Sequence, residues 1–303
     1  METMRTPELA TTPRRVPRGD GALAAPATAE PAPPRTVAFV LQGGGSLSAP
    51  QVGALRALTQ AGITPDLIVG SSAGALNGAA FAADPSIEGI DRLEALWLSI
   101  KRRHVAPFSL RTLIKASTGR GEAAVSSTAL QQLLQFGIGV GRLEDAAVPL
   151  HVVATDVDTG APVVMSRGDA VSALLASAAF PGLYPPVRVG QHRLVDGGVS
   201  ADTPVLQAEA LGATTIYVLP AAVTNTTGRQ AHAALLSAHR ALCQILAERE
   251  RRDVAAVRGS VLRLPTATTP VANLIDFRDT SRLIQVGYSL TQDWLAQQPA
   301  AAA

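Results

Sequence analysis

The five residues Gly70-Ser71-Ser72-Ala73-Gly74 constrain this chain most. They lie where an apolar strand, Leu67-Ile68-Val69, runs into an Ala-rich helical stretch ending near Ala83. A serine on so tight a strand-to-helix turn takes a strained backbone conformation that pushes its hydroxyl into the open. The residues two before and two after it must be tiny, because the turn brings their backbones close together. Gly70 and Gly74 meet that demand; Ser72 is the central serine, and Ser71 only fills its position. A Gly- and Ala-rich chain also produces such a pentapeptide by accident, so its setting carries the weight.

That setting alternates strands with helices. Thr36 to Leu41 is a short apolar run typical of a strand buried on both faces. Gly43-Gly44-Gly45 follows, then a helix from about Gln51 to Ala61 with Val52, Leu55 and Leu58 on one stripe, closed by Gly62. Beyond the serine turn, Ile87 to Ile100 carries apolar residues at helical spacing. After a loop-like region, Leu150 to Thr155 and Pro162 to Met165 read as strands around an Asp158-Thr159-Gly160 turn. Val171 to Ala179 predicts a helix stopped by Pro181, and Val187-Val189 with Arg193-Val195 predicts a hairpin. Thr215 to Leu219 is a further buried strand, Arg229 to Val257 a long helical stretch broken once, and Val261 to Leu264 a last short strand. Ser281 to Leu295 ends the pattern as an amphipathic helix. The expected fold is α/β, three layers with a mostly parallel central sheet.

Composition sets the limits. At 303 residues with 47% apolar but only 4% aromatic, the core must come from Ala, Val and Leu. One large domain, 36–296, is expected. Met1 to Arg35 is rich in Pro, Ala, Thr and Arg without periodicity, which predicts a disordered segment, as does the tail 297–303. The N-terminal stretch lacks the apolar stripe of an export signal, Pro26 breaking its one candidate run, so a cytoplasmic location is the default. No run reaches the roughly 18 apolar residues of a membrane span. The net charge of +2 does not suggest nucleic acid as a partner. The single cysteine, Cys243, excludes an internal disulfide and a cysteine-rich metal site, and its helical pattern makes it a core or semi-core residue.

Three glycine-marked sites follow predicted strands: Gly43-Gly44-Gly45, the Ser72 turn, and Asp196-Gly197-Gly198. In a parallel sheet the turns at the carboxyl ends of strands gather on one edge, where ligands bind. Ser72 supplies a hydroxyl nucleophile that needs a base within hydrogen-bond reach. The glycine run bares backbone N–H groups ahead of a helix, where they can hold the negative oxygen of a tetrahedral intermediate. Asp196, before two glycines, can hold its carboxylate rigidly beside the serine. Burial there would raise its proton affinity above the reference of about 3.9, since desolvation disfavours the charged form.

The order GGG, then GxSxG, then DGG resembles that of the patatin-like phospholipases, over nearly all of the chain expected to be ordered. The likeness includes Gln51-Val52-Gly53-Ala54-Leu55, the continuation Ala75-Leu76-Asn77, and Ala154-Thr155-Asp156 with Thr159-Gly160. It extends through Ala176-Ser177-Ala178-Ala179-Phe180-Pro181 and from Asp196 to Thr203-Pro204. The resemblance implies a patatin-like fold and hydrolysis of lipid acyl esters without metal or cofactor. It also implies a Ser72–Asp196 dyad that requires no histidine, and an oxyanion hole at Gly43, Gly44 and Gly45. Gly70, Gly74, Gly197 and Gly198 support these motifs. The chain departs from the family pattern at Leu47 and Ser48, where a basic residue and a further glycine are usual, at Pro50, and at Asp202, which replaces an asparagine. A missing glycine there narrows the oxyanion hole or shifts its backbone.

Other readings stay open. The glycine run suits a phosphate as well, but it lacks the GK[ST] ending of a P-loop. A Ser–Asp–His hydrolase order would need a late histidine; His232 and His239 lie on one face of a helical stretch, and His104, His151 and His192 precede Asp196. Asp156 is the best rival base, though a turn role suits it better. A catalytically silent lipid- or acyl-binding protein would use the same motifs. Lys101, Arg102, Arg103, Arg111, Lys115 and Arg120 share 101–120 with Val105, Phe108, Leu110, Leu113 and Ile114 and with no acid. That segment is a candidate flap for peripheral contact with anionic lipid, against the reading of a solvated loop. Head group, chain length and oligomeric state are not legible.

Overall fold

A computed structural model describes residues 35–105, 125–224, 233–270 and 274–298, with only the backbone described over 233–243. The expectations for residues 1–34, for most of the 101–120 flap, for His232, for the side chains of His239 and Cys243, and for the tail from 299 lie outside the described residues.

Among the described residues, eight strands form one sheet. They are β1 (Val37–Leu41), β2 (Leu67–Ser71), β3 (Leu150–Asp156), β4 (Pro162–Met165), β5 (Val187–Val189), β6 (His192–Asp196), β7 (Thr215–Leu219) and, after the short β8 (Val223–Thr224), β9 (Ser260–Arg263). The order is β5-β6-β3-β2-β1-β7-β9, with β4 also pairing β3. β8 pairs separately with β10 (Thr268–Thr269). The pairs β1–β2, β1–β7, β2–β3 and β7–β9 are parallel. β4, β6 and β5 add an antiparallel flank. β2 and β7 are buried along their whole length and β1 nearly so, as expected of apolar runs covered on both faces.

The pleat sorts the core into two layers. Phe39, Leu41, Ile68 and Tyr217 face one side, with helices α1 (Pro50–Gln60), α2 (Ala73–Ala83) and α3 (Ile87–Ser99). Ala38, Val40, Val69 and Val218 face the other, against Ala201, Val205 and Ala208. Val52, Leu55 and Leu58, the predicted stripe of α1, are fully buried, and Gly62 sits at φ +73° just past the helix end. α3 is capped by Ser86, whose Oγ accepts the Gly89 N–H at 3.1 Å.

Three expectations need correction. The region before Leu150 is not simply loop: it holds α4 (Arg102–Val105) and α5 (Thr128–Gly137), the latter burying Leu130 and Leu134. Past α6 (Ala170–Ser177), α7 (Gly198–Ala201) and α8 (Val205–Ala210), helix α9 runs unbroken over Ala233–Ala256, because no Gly or Pro lies inside it. And β6 is antiparallel to β3, so Asp196 does not end a parallel strand. Helix α10 (Thr280–Ala296) closes the chain against α1.

Candidate active site

Between β2 and α2, Ser72 takes φ 52° and ψ −126° and is the one non-glycine residue with positive φ among the described residues. The tiny neighbours are obligatory. A Cβ on Gly70 would lie 2.5 Å from Ala75 Cα, and one on Gly74 would lie 2.3 Å from the Leu41 carbonyl oxygen. The strained turn is braced from α6: Ser72 N–H donates to Ser177 Oγ at 2.8 Å, and Ser177 Oγ donates to the Val153 carbonyl at 2.6 Å. Sequence reasoning gave Ser177 no role; its place in the Ala176–Pro181 segment was the one available signal.

Ser72 Oγ donates to Asp196 Oδ2 at 2.6 Å, across 124 residues of sequence. Register, not strand direction, brings them together. β2 pairs Ser71 with Val153 of β3, and β6 pairs Asp196 with Ala154, so the serine and the aspartate sit level on either side of β3. Gly197 then crosses so close to β3 that a Cβ there would lie 2.3 Å from the Val153 oxygen and 2.5 Å from Ser71 Oγ. Asp196 is 4% exposed, and its Oδ1 accepts the Gly198 N–H at 2.8 Å. Burial pushes this carboxyl up to about 6 although both hydrogen bonds pull it down, the direction expected from desolvation.

The glycine loop contributes two available donors rather than three. Gly43 N–H is engaged by the Asp202 carbonyl at 3.0 Å, whereas the N–H groups of Gly44 and Gly45 have no partner among the described residues. Gln42 anchors the loop: its Nε2 donates to Asp202 Oδ2 at 2.9 Å, and its Oε1 accepts the Ala221 N–H at 3.0 Å. Buried Gln51 Nε2 donates to the Gln42 carbonyl at 2.8 Å, and Asn77 links Gln51 to the Trp97 indole. Leu47 and Ser48 fit without displacing this frame: both are buried in a 3₁₀ turn, with Ser48 Oγ 3.4 Å from the Gln42 carbonyl.

Ser72, Asp196 and all three loop glycines line a cavity of about 1750 Å³. Its walls are mainly apolar, from Leu76, Leu93, Trp97, Leu130, Leu134 and Phe180 among others. Asp156 is not among them. It accepts the N–H groups of Asp158 and Thr159 at 3.0 Å and pairs with His192 at 2.7 Å, which holds its carboxyl down to about 2. It is a turn residue. His151 bonds Ser166 at 2.7 Å, and neither it nor His104 or His192 lines the cavity.

Comparison with known proteins follows the same span. The sequence model of the patatin-like phospholipases matches residues 39–209. An uncharacterized NTE family protein of Mycobacterium tuberculosis is 31% identical over 176 residues, 56% of this chain and 27% of that one. Lysophospholipase nte1 of Aspergillus terreus is 28% identical over 193 residues, 61% of this chain and 12% of that one. This chain thus spans about a quarter or less of the length of these relatives. Among solved structures, VipD from Legionella pneumophila superposes with a TM-score of 0.48 at 16% identity, covering 87% of this chain and 67% of that chain. Since the matched residues 39–209 run from β1 through the Ser72 turn to the Asp196 turn and make up more than half of its length, the chain belongs to the patatin-like phospholipase family.

Proposed function

We propose that the protein is a lipid acyl-ester hydrolase with Ser72 as nucleophile and Asp196 as its base. The observation that carries this reading is the 2.6 Å bond from Ser72 Oγ to a buried carboxylate in an apolar cavity. As Ser72 Oγ attacks the ester carbonyl carbon, its proton passes to Asp196 Oδ2. The N–H groups of Gly44 and Gly45 receive the oxyanion. Collapse breaks the ester C–O bond, the leaving alcohol takes the proton from Asp196, and an acyl-Ser72 ester remains. Water then gives a proton to Asp196 and attacks the acyl carbon; on collapse Ser72 regains its hydrogen and the fatty acid departs. No metal or cofactor takes part in this scheme. A carboxyl pushed up to about 6 is a stronger base than an exposed one, so kcat/KM rises as pH climbs through that value.

The test is hydrolysis of a chromogenic ester together with fluorophosphonate labelling. Ser72→Ala is expected to abolish both, and Asp196→Asn to lower kcat by about 10²- to 10⁴-fold. Full labelling and turnover in Ser72→Ala would overturn the reading. Absence of both in the wild type would leave a silent acyl-binding protein in its place. Peripheral contact through 101–120 belongs to the same proposal. Reversing Arg102, Arg103 and Arg111 to Glu is expected to weaken co-sedimentation with anionic liposomes, and unchanged binding refutes the contact.

A further inference from the structure

Asp202 enters the site from the turn that follows Gly197-Gly198, and the reaction above makes no use of its side chain. Its Oδ2 accepts from Gln42 Nε2 at 2.9 Å, and its main-chain oxygen accepts the Gly43 N–H at 3.0 Å. Its Oδ1 lies 2.6 Å from the point a Gly43 Cβ would occupy and 3.1 Å from the corresponding point on Gly198. Asp196 Oδ1 lies 3.1 Å from that same point on Gly198. Two carboxyl groups therefore flank one glycine, their oxygens no farther apart than twice that distance.

Neither is in an ion pair among the described residues, and Arg249 only partly offsets the burial of Asp202. The charged groups that face Asp202 are Asp196 and, from α9, Arg249 and Glu250. Arg249 donates to the Val199 carbonyl at 2.6 Å and makes no ion pair with either acid among the described residues, while Glu250 is paired with Arg263 at 2.7 Å. A buried and a half-buried carboxylate this close, with no ion-pair partner among the described residues, do not both ionise readily. Hydrogen bonding decides which of them carries the charge. The Asp196 carboxyl receives two donors, Ser72 Oγ and the Gly198 N–H, whereas the Asp202 carboxyl receives one, Gln42 Nε2. The proton stays with the less supported group.

We propose that Asp202 is held as the neutral acid while Asp196 is ionised, and that losing this proton places a second negative charge against the glycine loop and switches hydrolysis off. The inference rests on the hydrolase reading above. During attack, negative charge leaves Asp196 and arrives at the oxyanion beside Gly44 and Gly45. Neutral Asp202 leaves that transfer unopposed; ionised Asp202, packed against Gly43, repels the charge where it arrives. Asp202 is thus a positioning residue, acting through the loop and through Asp196. Burial is the main cause holding its carboxyl at about 7, above Asp196 at about 6, which is the same order.

The experiment is the pH profile of kcat/KM for the wild type and Asp202→Asn, whose amide keeps a donor and an acceptor but carries no charge. The wild-type profile is expected to rise through about 6 and to fall above about 7, by about tenfold per pH unit. Asp202→Asn should stay within about threefold of the wild-type maximum and lose the alkaline fall. A wild-type plateau above 7, an alkaline fall that persists in Asp202→Asn, or a folded variant inactive at every pH each overturns the proposal. Carbon-13 NMR of aspartate-labelled wild-type protein without substrate, where Ser72 still donates to Asp196, judges the proton without activity. Two carboxyl steps, the higher one lost in Asp202→Asn, support the proposal; both groups titrating together below about 5 overturn it. Active Ser72→Ala protein would instead defeat the hydrolase reading and leave this titration to stand by itself.

Discussion

Ser72 occupies a backbone conformation that costs on the order of 1–3 kcal/mol for a non-glycine residue, and the Ser177 side chain braces its N–H there. The two serines that flank it in space make opposite predictions. Ser71 Oγ is buried with no hydrogen-bond partner among the described residues, so Ser71→Ala is expected to leave stability unchanged or raise it by about 1 kcal/mol in urea unfolding. Ser177 Oγ accepts from Ser72 and donates to Val153, so Ser177→Ala is expected to cost about 1–3 kcal/mol and to slow fluorophosphonate labelling of Ser72. The pentapeptide was enough to single out Ser72 and to mark Ser71 as filler. Ser177 was illegible because its partner lies 105 residues away, and hydrogen bonds at that separation leave no periodicity in a sequence.

At the scale of elements, the glycine loop is steadied by the helices beneath it. α1 supplies Gln51 to the Gln42 carbonyl, and α1 in turn lies against α10 where two glycines meet. A Cβ on Gly287 would fall 2.2 Å from the Pro50 oxygen, and one on Gly53 would fall 2.0 Å from the Ile284 oxygen. Backbone does not yield as a side chain does. Gly287→Ala is therefore expected to destabilise the fold by about 1–3 kcal/mol, read by thermal or urea unfolding, despite the better helix propensity of alanine. The apolar runs of β1, β2 and β7 and the stripes of α1 and α3 were legible because burial imposes a period on the side chains. Helix α5 was passed over inside a loop-like region, although Leu130, Leu133 and Leu134 stand at helical spacing over Thr128–Gly137. The direction of β6 was hidden for another reason: a strand and its reverse have the same pattern.

For the molecule as a whole, the cavity and the Asp196–Asp202 pair carry separate expectations. Ser72, Leu76 and Ala80 are spaced one helical turn apart and all line the cavity, so α2 forms a wall leading inward from the hydroxyl. Ala80→Phe is expected to cut kcat/KM for long-chain esters by about tenfold or more while leaving a short-chain ester within about threefold. Equal loss on both would mean that the acyl chain does not run along this wall. Asp196 and Asp202 hold their protons to higher pH when folded than when unfolded. The native state then binds more protons between about 4 and 7, and stability falls as pH rises through that window. Asp202→Asn should unfold at higher denaturant than the wild type above pH of about 7, by on the order of a few kcal/mol, and show no such gain below about 4.

The sequence alone determined the alternation of buried strands and amphipathic helices, the small residues a tight turn demands, and a hydroxyl, a glycine run and a carboxyl in a recognisable order. These are local properties: they follow from steric limits on a few neighbouring residues and from the periods of helix and strand. The tertiary structure alone decided that Asp196 reaches Ser72 by register on an antiparallel strand, and that Gly43 gives its N–H to Asp202. It also decided that two carboxyls without an ion-pair partner among the described residues share one glycine. Those facts depend on distances between segments more than a hundred residues apart, and such distances exist only once both faces of the sheet have been buried.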